Sequence, residues 1–191
     1  MSEFPPGLIL VLGALVIPFL KGSIRNLFMI ILPVFGLLGL LAIEDGYTFT
    51  INILGLQLTP VRVDRLSLLF GYIFHIAAII SIIYAFHLRD TVQQIAALMY
   101  AGTAIGGIFA GDLVSLFVYW EGTAISSVFL IWSSNTHESF KTGMRYLLIQ
   151  VGSGVLLLAG TILYYKQSGT IAFNKFELTE IGPMLIFIAF G

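Results

Sequence analysis

Long apolar runs interrupted by short charged stretches dominate the chain, and their lengths predict membrane-spanning helices. The first run extends from about Pro5 to Leu20 and stops at Lys21; the second runs from about Leu27 to Ile43, between Arg25 and Glu44. A spanning helix needs roughly 20 apolar residues, so both are short but adequate. Further spans are expected at Leu66 to Leu88, Gln94 to Ala110, Leu113 to Trp132 and Thr142 to Tyr165. A polar, amphipathic connection from Lys166 to Glu180 then leads to an apolar stretch from Ile181 to Gly191. That stretch reaches about 16 Å as helix, half a bilayer core, so a continuation of the chain or a second polypeptide is expected to supply the rest.

Between the second and third runs the period changes from helical to alternating. Tyr47, Phe49, Ile51 and Ile53 alternate with Thr48, Thr50 and Asn52, and Leu54-Gly55 is followed by Leu56, Gln57, Leu58 and Thr59. This pattern predicts a β-hairpin ended by Pro60, lying at the surface because unpaired strand edges cannot face hydrocarbon. The expected fold is an all-α membrane protein of six transmembrane helices plus a truncated seventh, with a short β-hairpin between helices two and three. Residues 1–191 are expected to belong to one transmembrane domain.

Composition agrees: 58% of the 191 residues are hydrophobic, 10% are charged, and the mean hydropathy is +1.00. A soluble domain carries about a quarter charged residues, so a water-soluble fold is excluded. Lys21, Arg25, Arg89, Lys141 and Arg145 fall on one side of the membrane, and Arg62, Arg65, Lys166 and Lys175 on the other. The first side has the shorter loops, which places it inside and the N-terminus and hairpin outside. The basic residues are scattered, so nucleic-acid binding is set aside. With no cysteine, the chain has no thiolate metal site, no cysteine-ligated cluster and no Cys nucleophile. There is no P-loop, no dinucleotide fingerprint, no zinc-protease motif and no nucleophile elbow, so no cofactor and no metal are expected. The N-terminus lacks the basic region and cleavage pattern of a secretory signal, and its apolar run is read as a mature helix.

One residue breaks the apolar pattern. The acidic residues Glu3, Glu44, Asp45, Asp64, Asp90, Asp112, Glu138, Glu177 and Glu180 fall in loops or at helix ends, whereas Glu121 lies mid-span. It is about 12 Å from one end of its helix and about 17 Å from the other, too far for a short side chain to snorkel. An ionised carboxylate at that depth costs a few kcal/mol, so the group can be held neutral and ionise when a counter-charge approaches. One turn away stand Phe117, Val118, Ala124 and Ile125, so any partner comes from another helix. Arg145, near the start of the sixth span, has two readings: a charge partner, or a helix-end anchor reaching the interface. His75, about ten residues into the third span, is either a proton relay or a packed histidine. Ser126, Ser127, Gln150 and Ser153 are polar groups of the kind that join helices or hold water, and Gly102 with Gly106, and Gly152 with Gly154, are small-residue patches for close helix packing.

The stretch from Gly111 to Glu121 (GDLVSLFVYWE) and its continuation from Gly122 to Ile131 (GTAISSVFLI) resemble the fifth-helix signature of the antiporter-like membrane subunits. These are the large subunits of NADH:quinone oxidoreductase (complex I), of multisubunit Mrp-type sodium/proton antiporters and of membrane-bound hydrogenases. Asp64 to Phe70 (DRLSLLF) resembles the start of the family's third helix, and Met144 to Gly154 (MRYLLIQVGSG) the start of its sixth. The likeness runs through the chain but covers only the N-terminal part of a fold of about fourteen helices, and the Arg145-Tyr146 pair leans toward the Mrp D-type subunit.

The resemblance implies that Glu121 is the fifth-helix glutamate, whose partner in the family is a seventh-helix lysine expected just beyond Phe190-Gly191. It implies proton or cation translocation in a multisubunit cation/proton antiporter, with other membrane subunits and the lipid bilayer as partners and a multi-pass location in a prokaryotic plasma membrane. A proton-pumping subunit of an NADH:quinone oxidoreductase or of a membrane-bound hydrogenase is the alternative, and a structural scaffold subunit is the alternative of another class.

Overall fold

The computed structural model describes residues 5–53, 55–88, 90–176 and 178–191. Arg89 of the side-to-side charge comparison, Leu54 of the hairpin turn, and Glu3 and Glu177 lie outside the described residues. The helices are α1 (Leu8–Ala14), α2 (Gly22–Leu41), α3 (Arg65–Tyr84), α4 (Thr91–Phe109), α5 (Leu113–Trp132), α6 (His137–Ser168) and α7 (Ile181–Phe190), with strands β1 (Thr48–Ile53) and β2 (Leu56–Arg62) between α2 and α3. Five of the helices, α2 to α6, are long and apolar enough to cross a membrane, and two shorter apolar helices lie at Leu8–Phe19 and Ile181–Phe190.

The first apolar run is not one continuous α-helix. The α-helical part stops at Ala14, and a 3-10 turn covers Ile17–Phe19. Pro18 accounts for the break: it has no N–H to give, and in a continuing helix its ring would clash with the carbonyl of Ala14. At α2 the helix begins at Gly22 instead of Leu27, because Arg25 lies inside the first turn and bonds across to Thr91. At α6 it exceeds the predicted span at both ends. A capping box between Thr136 and Ser139 starts it, and Gly169 in the left-handed conformation stops it. Hydropathy marks where lipid ends, whereas capping marks where the helix ends, and 32 residues extend about 48 Å, well past a bilayer core of about 30 Å. Both predicted ends of α5 agree with the structure, with Asp112 as its N-cap.

The hairpin forms as an antiparallel pair, but Pro60 lies inside β2 and does not end it. Phe49 pairs with Val61 and Ile51 with Leu58, so Thr50 faces both Thr59 and Pro60. Such a bulge is a site where a strand tolerates a residue without an N–H. Most of the hairpin is exposed or half-buried, in keeping with a place at the surface, but its end is anchored. Val61, and Val63 just after it, are buried with Leu10, Leu40, Ala78, Ile105 and Phe109, so the sheet closes one end of the helix bundle.

Asp112 fixes that closure. It is buried, and its carboxylate accepts from Val114 N (2.9 Å), Ser115 N (2.8 Å) and Ser115 Oγ (2.6 Å) at the start of α5, and from Thr59 N (2.6 Å) of β2. The neighbouring backbone joins a third segment, with Leu113 N donating to Ile171 O (3.0 Å).

Gly102 acts as the small-residue pattern implies. A Cβ there would lie 2.8 Å from Gly7 O and 2.9 Å from Leu10 Cβ, so α1 and α4 touch backbone to backbone. Gly106 instead makes room for the Tyr119 ring of α5. Replacing Gly102 by Val is expected to lower stability by about 1–3 kcal/mol, because the obstacle is backbone that cannot step aside. Thermal unfolding in detergent measures it, and an unchanged midpoint would contradict the backbone contact.

Candidate functional site

Glu121 sits mid-way along α5 on the face that meets α6. Its carboxylate occupies the space above Gly154, where a Cβ would collide with Oε1. Gly152, by contrast, has nothing within 4 Å of an added Cβ, so of the two glycines only Gly154 makes room for a neighbour. Oε1 of Glu121 is buried and has no hydrogen-bond partner among the described residues. Beside it, Trp120 Nε1 is likewise buried and unpartnered.

The end of α7 arrives at the same place. Phe190 packs edge-on against the Trp120 ring at 5.2 Å, and Ser153 Oγ of α6 donates to Ala189 O at 2.6 Å. Backbone-close packing holds α7 there: a Cβ at Gly160 would lie 2.8 Å from Gly182 O. The end of α7 thus packs against Trp120, the residue before Glu121.

A second face of α5 borders a cavity of about 370 Å³. Thr103, Tyr119, Trp120, Thr123, Tyr146 and Gln150 supply its polar atoms. Thr123 Oγ1 donates to Thr103 Oγ1 (3.0 Å), and Ser127 Oγ donates to the Tyr146 hydroxyl (2.9 Å). Ser126 turns back on its own helix and donates to Gly122 O. Glu121 does not line this cavity, but Trp120 and Ala124 do, and Gln150 stands one turn before Gly154 on α6. Most of its wall is apolar, and its few polar groups are these hydroxyls and amide.

Arg145 is not brought to Glu121. It is exposed and lies nine positions before Gly154 on α6, about 14 Å along the axis. The ion pairs among the described residues, Arg62–Asp64 (3.7 Å) and Arg65–Asp45 (3.2 Å), lie at the hairpin end. His75 occupies a different interface. It is fully buried on α3, its Nδ1 donates to Gly71 O (2.7 Å), and its Nε2 faces Gly36 of α2 with no partner among the described residues. Because a carbonyl only accepts, Nδ1 carries a proton, and Nε2 is the ring nitrogen left without a partner among the described residues.

A family model described as the transmembrane part of NADH:quinone oxidoreductase and Mrp antiporter subunits matches residues 110–190, which include Glu121, Gly154 and α7. The chain belongs to the antiporter-like membrane subunits. The putative antiporter subunit mnhA2 of Staphylococcus haemolyticus is 32% identical to this antiporter-like protein over 146 residues, 68% of the chain and 18% of the relative. The A-type Na(+)/H(+) antiporter subunit of Alkalihalophilus pseudofirmus is 31% identical over 126 residues, 62% of the chain and 16% of the relative. The chain thus spans less than a fifth of the length of these curated relatives, and their names are those of A-type subunits where the sequence leans toward the D type. Among solved structures, an archaeal membrane-bound sulfane sulfur reductase superposes with a TM-score of 0.80 at 20% identity, covering 96% of this chain and 43% of that one. The Mrp complex from Dietzia sp. gives 0.78 at 23% identity, covering 92% and 20%. These likenesses establish the fold, and the antiporter-like protein is a multi-pass cell-membrane protein.

Sequence reasoning missed the aromatic members of the site. Tyr119, Trp120 and Tyr146 had no role of their own in the sequence, and only the packing of α4, α5 and α6 turns them toward one cavity. A signal for Gly154 was present, but a glycine that admits a side chain looks the same in sequence as one that admits a helix.

Proposed function

We propose that this chain contributes an ion-translocating site to a multisubunit cation/proton antiporter, with Glu121 as the group that is alternately neutral and ionised. The observation that carries this reading is the carboxylate mid-way along an apolar helix whose buried Oε1 has no partner among the described residues. A carboxylate serving only as helix glue would have its oxygens satisfied by the neighbouring helix. The meeting of Phe190 with Trp120 further supports a partner supplied by the residues that follow α7. A lysine there would give Glu121 a counter-charge that can approach and withdraw, and each change would favour release or uptake of a proton.

Antiport is preferred over the redox-coupled alternative because curated relatives above 30% identity carry antiporter names. Other membrane subunits are the partners this reading requires. Arg145 serves as the interfacial anchor of α6, and His75 is a second buried proton-accepting group on the far side of α4. The test is flux of protons and sodium through the complete complex reconstituted in vesicles. Wild-type flux with Glu121→Gln would refute the reading.

Gly154→Ala offers a finer check. The added methyl must displace the Glu121 carboxylate, the mobile end of a flexible side chain, so stability should change by about 1 kcal/mol or less. Flux is expected to fall about tenfold, since an error of about 1 Å in a reacting group is costly. Equal flux in the two proteins would mean that the position of the carboxylate over Gly154 is not used.

A further inference from the structure

We propose that Ser153 is a positioning residue for the Glu121 site, whose hydroxyl holds the end of α7 in place beside Trp120. This role rests on the reading of Glu121 as the translocating group. A serine or threonine within a helix commonly returns its hydroxyl to a carbonyl about one turn back on the same helix. Ser126 bonds Gly122 O in this way, Thr161 bonds Leu157 O (2.7 Å) and Ser168 bonds Tyr164 O (2.8 Å). Ser153 departs from that pattern. Its Oγ leaves α6, crosses to α7 and donates to Ala189 O at 2.6 Å.

The two ends of α7 are held differently. Gly182, Pro183, Ile186 and Ala189 form its buried stripe, whereas Met184, Phe187 and Phe190 are exposed. At the first turn the contact with α6 is backbone on backbone: a Cβ at Gly182 would lie 2.7 Å from Tyr164 N and 3.1 Å from Gly160 O. Neither helix can shift there without losing that fit. At the last turn the polar tie is the Ser153 bond, and the Phe190 ring meets Trp120 edge-on at 5.2 Å. Both of these contacts adjoin the carboxylate. Ser153 precedes Gly154, on which the Glu121 side chain rests, and Trp120 precedes Glu121 itself. Loss of the hydroxyl therefore loosens the end of α7 nearest Glu121 and leaves its other end in place. One interhelical hydrogen bond in a membrane changes the population of such a docked arrangement by about threefold.

Two measurements on the complete complex test this. Spin labels attached through Leu148→Cys on α6 and Phe187→Cys on α7, both exposed positions, report the separation of the two helices in a complex otherwise free of cysteine. Flux is measured on the unlabelled protein. With serine at 153 the labels should give one distance. Ser153→Ala should add a second, longer distance and lower flux about threefold. Alanine is the residue best suited to a helix, so α6 itself keeps its shape in this variant. Ser153→Thr, which keeps the hydroxyl, should restore the single distance and most of the flux. A single unchanged distance in Ser153→Ala, or an equal loss in Ser153→Thr, overturns the proposal. So does unchanged flux in Ser153→Ala where Glu121→Gln has abolished it, an outcome that leaves the translocation reading standing. Wild-type flux in Glu121→Gln overturns that reading and the role of Ser153 with it, whatever distances are found.

Discussion

Glu121→Gln is expected to lower ion flux through the complete complex by about a hundredfold or more while leaving its assembly unchanged. The substitution keeps the length and shape that rest on Gly154, so the packing of α5 against α6 survives. What it removes is ionisation, and groups that move protons in a rate-determining way contribute about 10²–10⁴-fold. A Gln also avoids the cost of a buried charge, so the variant should melt at the wild-type temperature or slightly above it. Glu121→Asp keeps the charge and retracts it by about one bond, and it should retain an intermediate flux. Loss of flux together with loss of assembled complex would point to a scaffold role instead. Flux and yield are therefore measured on the same preparations.

For stability the largest effect is expected at Asp112. Asp112→Ala strips acceptors from Val114 N, both donors of Ser115, and Thr59 N. Loss of an N-cap alone costs about 1 kcal/mol, and each buried donor left unsatisfied adds about 1–3 kcal/mol, so about 3–5 kcal/mol in all is a reasonable magnitude. Asp112→Asn can keep one oxygen on the start of α5, but it turns an amide toward Thr59 N, donor against donor, so it should fall between. Thermal unfolding in detergent gives the size of the loss. Limited proteolysis gives its place: the hairpin should become susceptible before α5 or α6 does. A hairpin equally protected in Asp112→Ala would show that its other contacts, Val61, Val63 and the bond from Gly111 N to Thr59 O, suffice to hold it.

How much of this was legible in sequence depends on whether local chemistry or tertiary contact decides the feature. The bounds of α5 were readable because an Asp N-cap coincides there with the start of the apolar run. The ends of α6 were not, since its caps Thr136 and Gly169 stand in polar sequence beyond the lipid-facing part. Pro18 and Pro60 were visible throughout, yet one breaks a helix inside a span and the other is absorbed by a bulge, outcomes settled by backbone hydrogen bonding. Depth alone singled out Glu121. Its seat on Gly154, and the cavity shared by Tyr119, Thr123, Tyr146 and Gln150, depend on the rotation of three helices about their axes, which no single run specifies. Arg25 is hard to place for a related reason: a charge at the edge of an apolar run looks like a boundary even when a neighbouring helix fixes it within one.

Helix α4 gives the protein a mechanical property of its own. On one side its Phe109 packs against Gly71, the residue whose carbonyl holds the His75 ring. On the other its Thr103 bonds Thr123, two positions from Glu121. The helix thus packs, on opposite sides, against the near neighbours of His75 and of Glu121. A stiff rod therefore links the surroundings of the two groups, with no hydrogen-bonded path between them among the described residues.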